Sequence, residues 1–251
     1  MSCVAPAQCL CHQPLGFDIV MAFQPIVDLG SGHVHAHEAL VRGVNGEGAG
    51  DVLAQVDEKN IYQFDQRCRT QSLRQIAALG STVPVSINFM PNAVYEPEAC
   101  LASTIATARR LGWDLRNIIF EITETEHVRD QAHLAHIVSM YRQMGLAVAL
   151  DDFGAGNSNL ETLTYMHPDY LKLDRSLIGG VCGSTTKQNI VDAMLSLASA
   201  EHINVVAEGV EAEEDAHWLY QRGIRLQQGY FFARPAVDGL PDVYWPDWVG
   251  C

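Results

Sequence analysis

No apolar run in this sequence approaches the roughly 20 residues that a membrane-spanning helix needs, so no membrane partner is expected. The opening stretch, Met1 to Pro14, lacks the basic start and apolar centre of a secretory leader. Basic residues are scarce: 16 Lys and Arg face 30 Asp and Glu, for a formal net charge of −14. That excludes a broad cationic face for a nucleic acid polymer. An anionic substrate would then need metal ions or a few local cations. Cysteine is sparse and odd in number, seven in all, which reads as reduced thiols in the cytoplasm. Beyond Asp18 there is no Ser- or Gly-rich linker, low-complexity tract or internal repeat.

What is present is ordinary globular material. Of 251 residues, 48% are apolar and 18% charged, enough to bury one core. Residues 1–17 read as a Cys-containing tail and 18–251 as one domain. Candidate strands are Val20–Val27, His33–Val41, Val83–Phe89, Asn117–Ile122, Ala147–Leu150, Tyr170–Leu173, Val205–Ala207 and Arg225–Tyr230. Helical period separates them. Ile61, Phe64, Cys68, Ile76 and Leu79 fall near one face, as do Leu134, Ile137, Val138 and Tyr141. Ile190, Ala193, Met194, Leu197 and Ala198 form the cleanest stripe. Repeated strand–helix units over this length predict an α/β fold, a TIM-like (β/α)8 barrel. A doubly wound open sheet is the rival. Its glycine fingerprint is incomplete, because Gly154-Ala155-Gly156-Asn157-Ser158-Asn159 lacks the third glycine and follows two aspartates.

The placement of polar residues favours the barrel. Glu38, Asn88, Glu121, Asp151 with Asp152, Lys172 with Asp174, Glu208 and Gln228 each follow an apolar run, at the expected C-terminal end of a strand. In a barrel these positions converge on one rim, where barrel active sites lie. A single such carboxylate is usually a helix cap, but caps alone leave the repetition unexplained. Clustered carboxylates raise one another's pKa and call for cations. Oxygen donors favour Mg²⁺ or Mn²⁺, and the lack of Cys or His at these strand ends argues against zinc. The adjacent Asp151 and Asp152 suggest two ions with one shared carboxylate, an apparatus suited to phosphodiester hydrolysis. Lys172 reads as a cation that orients water or steadies phosphate charge.

Glu38-Ala39-Leu40-Val41-Arg42 resembles the signature of the EAL-domain phosphodiesterases, which hydrolyse cyclic di-GMP to linear pGpG. The likeness runs from about Phe17 to Pro235. It includes Gln24-Pro25-Ile26-Val27, Ser86-Ile87-Asn88, Phe120-Glu121-Ile122-Thr123-Glu124, Asp151-Asp152-Phe153-Gly154-Ala155-Gly156, Leu171-Lys172-Leu173-Asp174, Ala207-Glu208-Gly209-Val210-Glu211 and Gln228-Gly229-Tyr230. The resemblance implies a barrel with one antiparallel strand and a two-metal site, expected to hold two Mg²⁺ or Mn²⁺ ions; Ca²⁺, which prefers longer bonds and more ligands, is expected to inhibit. The resemblance also implies Glu38, Asn88, Glu121 and Asp151 for the first ion, and Asp151, Asp152 and Glu208 for the second. Lys172 would hold the attacking water, and Gln24, Leu40, Arg42, Asp174 and Gln228 would bind cyclic di-GMP. Glu211 would support the site. Glu124 would anchor a loop beginning at Asp152 that links the metals to a homodimer interface.

Two departures stand out. The loop reads Asn157-Ser158-Asn159 where Tyr-Ser-Ser or similar is usual, and Gly43 stands where many members carry Trp. Alternatives are a non-catalytic cyclic di-GMP receptor, which predicts lost ligands, and an enolase-like barrel in which one Mg²⁺ and a lysine base act on an acid. Cys3, Cys9, Cys11 and His12 match no structural zinc spacing. His33, His35 and His37 alternate away from Glu38, and are expected to face helices or solvent.

Overall fold

The computed structural model describes residues 15–94, 97–123, 131–156, 160–237 and 239–249. Strands β1 (Ile19–Asp28) and β2 (His33–Gly43) form a hairpin. Six shorter strands follow: β3 (Val85–Asn88), β4 (Ile118–Thr123), β5 (Ala147–Phe153), β6 (Tyr170–Leu173), β7 (Asn204–Ala207) and β8 (Leu226–Gln227). They close in chain order into a barrel. From β2 to β8 the pairings are parallel, and β1 runs antiparallel to both β2 and β8. The helices between them include α1 (Ala49–Leu53), α2 (Ile61–Ala78), α3 (Pro97–Leu111), α4 (Gln131–Gln143), α5 (Glu161–Met166), α6 (Arg175–Ile178), α7 (Thr185–Ala200) and α8 (Glu213–Gln221). None is long and apolar enough to cross a membrane among the described residues.

Strands covered on both faces must be apolar on both faces, which explains runs such as Ile118-Ile119-Phe120. One set packs between barrel and helices, with Phe120 against Phe89 and Tyr141. A smaller set, Ile26, Ala36, Ile119, Ala149, Val206 and Leu226, fills the barrel interior. On α4 the expected face of Leu134, Ile137, Val138 and Tyr141 is the buried one. On α7 the inward face is rotated: Val191 and Ala198 are buried, whereas Ile190 is exposed. Apolar residues there wrap more than half the helix, so periodicity alone fits two faces.

The histidines of β2 also divide. His37 is buried facing away from Glu38, as expected. His35 falls at a register shift, with Ile26 opposite Ala36 and Val27 opposite Val34. Its Nε2 lies 3.1 Å from the Tyr170 hydroxyl on β6, the strand across the barrel. The irregularity turns His35 into the barrel, away from the outer face that simple alternation predicts.

Candidate metal and substrate site

The polar side chains converge at the end of the barrel to which the parallel strands point. They sit deeper than a strand-end reading predicts. Glu38 lies mid-strand in β2, opposite Gln24 on β1 and Ser86 on β3. Glu121 lies inside β4, opposite Asn88. β2 continues past the site because β1 pairs with it to Gly43. The site is therefore sunk into the barrel mouth.

Regular β structure cannot aim two consecutive side chains at one point. Between Leu150 and Phe153 the β5–β6 register slips, so Asp151 and Asp152 together oppose Lys172. Asp152 takes a left-handed φ of 55°, a sparsely populated choice for a non-glycine residue. Its amide donates to Asp151 Oδ1 at 2.9 Å. The slip makes both aspartates available to the same site. Gly154 follows at φ 102°, where a Cβ would run into Leu177.

Carboxylate oxygens of Glu38, Glu121 and Asp151 can all lie within 4.8 Å of one another, and so can those of Asp151, Asp152 and Glu208. Asp151 belongs to both sets. Asn88 Nδ2 donates at 3.3 Å to Glu38 and to Glu121, gathering the first set. Ser86 Oγ donates to the other Glu121 oxygen at 2.5 Å. Gln228 Nε2 donates to Glu38 at 2.7 Å and reaches Gln24 at 3.4 Å. Gln24 is held in turn by the Ala233 carbonyl. Ser86 sits inside the run that ends at Asn88, so the strand-end pattern does not mark it. Its two-residue spacing from Asn88, which puts both on the inner face, is the signal that marks it.

Lys172 is 1% exposed, which excludes a solvated strand residue. Its Nζ lies 2.7 Å from Glu208, 2.8 Å from Glu121, 2.9 Å from Asp151 and 3.5 Å from Glu38. The ammonium therefore sits amid four carboxylates, within 3 Å of three of them. Burial works against that charge, but Asp151, Glu121, Glu208 and Glu38 outweigh it and hold the Lys172 pKa well above its usual value. Burial, with neighbouring carboxylates, pushes Glu121 and Glu208 well up, against the pull of Lys172. Burial and Asp151 raise Asp152 to about 6. Five carboxylates (Glu38, Glu121, Asp151, Asp152 and Glu208) against one ammonium leave four negative charges if all ionise, which two divalent cations would neutralise. The all-oxygen donor set suits hard cations.

Two cavities meet at Glu38, Asp151 and Asp152. One, of about 380 Å³, is mostly apolar and is walled by Leu40, Leu53, Phe64 and Phe89. The other, of about 290 Å³, is polar and includes Gln24, Asp174, Arg175, Glu211, Gln228 and Tyr230. Asp174 also caps α6, accepting from Ser176 N at 2.8 Å. Glu211 pairs with Arg175 at 2.8 Å. Arg42 lines neither cavity and donates to the Val41 carbonyl. Glu124, Asn157 to Asn159, and the tail residues Cys3, Cys9, Cys11 and His12 lie outside the described residues.

Comparison with known proteins bears on the family and the fold. The family model described as EAL domain matches residues 15–235. The probable cyclic di-GMP phosphodiesterase PdeG of Escherichia coli is 34% identical over 232 residues, 88% of this chain and 45% of that protein. The chain spans about half the length of the curated relatives it matches. A standalone EAL protein from Vibrio cholerae, solved with cyclic di-GMP bound, superposes with a TM-score of 0.89 at 42% identity, covering 92% of this chain and 98% of that one. BlrP1 of Klebsiella pneumoniae, as its manganese and cyclic di-GMP complex at pH 9.0, gives a TM-score of 0.85 at 31% identity over 93% of this chain and 60% of that one. The same protein has been solved as a calcium and cyclic di-GMP complex. By its motifs, its barrel and this match, the chain belongs to the EAL domain family.

Proposed function

We propose that this protein is a metal-dependent phosphodiesterase that hydrolyses cyclic di-GMP to linear pGpG. The observation that carries the reading is the slip in β5, which turns Asp151 and Asp152 into one site and lets Asp151 serve two oxygen clusters. Glu38, Asn88, Glu121 and Asp151 would hold one Mg²⁺ or Mn²⁺, and Asp151, Asp152 and Glu208 a second. When bound, such ions supply Lewis acidity and a water of lowered pKa.

The chain's own residues do the rest. Lys172 keeps its proton and offers N–H donors to the attacking water and to charge gathering on the phosphate. Gln228 and Asn88 fix the Glu38 carboxylate from two sides. Gln24, Asp174 and Gln228 line the polar cavity and Leu40 the apolar one, where the two ends of the dinucleotide would lie on either side of the acidic cluster. Arg42 would join them from the rim, and Glu211 would hold Arg175 in place. Ca²⁺, with longer bonds and more ligands, would inhibit by holding substrate without aligning water.

A homodimer, with the loop from Asp152 to Asn159 coupling it to the site and Glu124 at its base, belongs to the same reading. Free Cys68, Cys100 and Cys182 support a reducing, cytoplasmic setting. The receptor alternative predicts a missing ligand, and each ligand position is filled. The enolase-like alternative gives the Asp151, Asp152 and Glu208 cluster no task. Incubation with cyclic di-GMP and Mn²⁺ or Mg²⁺, analysed for pGpG, tests the proposal. Product is expected with either ion and not in Glu38→Ala; binding of cyclic di-GMP without product would establish a receptor.

A further inference from the structure

We propose that the buried Asp65–Arg69 pair on α2 is a positioning device for Asn88. This rests on the divalent-metal reading above, in which Asn88 is a ligand. Asp65 and Arg69 are 3% and 2% exposed. Arg69 donates through Nη1 to Asp65, through Nε to Thr104 Oγ1 at 3.2 Å and through Nη2 to the Cys100 carbonyl at 3.1 Å, both partners lying on α3. The other Asp65 oxygen accepts the backbone N–H of Met90 at 3.0 Å. Met90 lies two residues beyond Asn88, and the intervening Phe89 N–H donates to the Glu121 carbonyl. The chain leaving β3 is thus held on one side by the barrel and on the other by α2. Its first member, Asn88, gathers Glu38 and Glu121 through two bonds of 3.3 Å, which are long enough that a small shift would break them.

Stability alone is a poor reason for such a pair. A buried ion pair gains little over apolar side chains of the same volume. Here burial raises the Asp65 pKa against the pull of Arg69 and the Met90 amide. Apolar replacements could fill the space between α2 and α3, but they could not accept the Met90 N–H in a set direction. Cys68, on the same stretch of α2, is no competing functional group, because burial pushes its thiol far above the range of thiolate chemistry.

The test is Mn²⁺ binding to the metal-free protein, followed by calorimetry or electron paramagnetic resonance. Asp65→Leu combined with Arg69→Met should keep the circular dichroism spectrum and a cooperative thermal transition, with its midpoint lowered by the Met90 N–H left unpaired. Its Mn²⁺ affinity should weaken about ten-fold, in the range expected when outer supports of a metal ligand are removed. Its hydrolysis of cyclic di-GMP should fall at low Mn²⁺ and recover at saturating Mn²⁺. Asp65→Asn keeps an acceptor for Met90 and should lose much less affinity. Unchanged Mn²⁺ affinity in the double variant overturns the proposal. The same loss of affinity in Leu73→Ala, a core variant on the same helix, also overturns it, and so does a double variant that fails to fold. If the unsubstituted protein binds no Mn²⁺, the metal reading fails first and this proposal falls with it.

Discussion

The Lys172 ammonium lies 2.9 Å from Asp151 Oδ1, on the carboxylate shared by both oxygen clusters. One lysine therefore supplies the positive charge at the centre of an otherwise acidic barrel mouth.

Lys172→Met should destabilise the metal-free protein by about 3–5 kcal/mol, the usual cost of breaking a buried charge arrangement from one side. Mn²⁺ should restore most of that loss, since added cations replace the missing one. The metal-induced rise in thermal midpoint should accordingly be larger in the variant than in the unsubstituted protein, while kcat falls more than substrate binding. Equal midpoint shifts would remove Lys172 from the charge balance.

Ser86→Ala should leave the fold intact and weaken Mn²⁺ binding by about 10–100-fold, because Glu121 loses the hydroxyl that orients it. Titration of the metal-free variant reads this directly. An unchanged affinity would make the Ser86 bond incidental.

Gly229→Ala should cut kcat/KM by about 100-fold, the scale of an ångström-sized misplacement. A Cβ at Gly229 would overlap the Val210 backbone, and Gln228 beside it is the donor to Glu38. Steady-state kinetics give the effect, and a crystal structure of the variant should show Gln228 displaced.

Stability of the metal-free protein should fall with acidification in a way that His37→Phe reduces. Burial lowers the His37 pKa from 6.5 to about 4, so between these values the unfolded chain binds the proton and the folded one does not. The contribution is fully present above about 6.5 and is lost as pH falls toward 4. Denaturant titrations of both proteins from pH 7 to pH 4 isolate it, since carboxylates that titrate with the opposite sign are common to both. A difference between the two proteins that does not change with pH would refute it.

Much of this protein was legible in one dimension. Strand–helix alternation predicts the barrel, and a polar residue after each apolar run predicts the rim, because inward residues recur every second position along any strand. Glu38, Asn88, Glu121, Asp151, Lys172, Glu208 and Gln228 come together as expected. Strand bounds were less legible: β2 runs past Val41 to Gly43 because β1 pairs with it, and pairing is a property of two segments.

What only the tertiary structure decided is how the exceptions to periodicity are resolved. Alternation sends Asp152 away from Asp151; a register slip against β6 and a left-handed backbone bring it back. Alternation sends His35 outward; an irregularity opposite β1 turns it toward Tyr170 across the barrel. Asp65 and Arg69, four residues apart on α2, are buried because α3 covers them. The sequence by itself determined which residues are apolar, which are charged and in what period they recur. Where a long-range contact costs less free energy than a regular element, the contact prevails, and such contacts exist only in the folded chain.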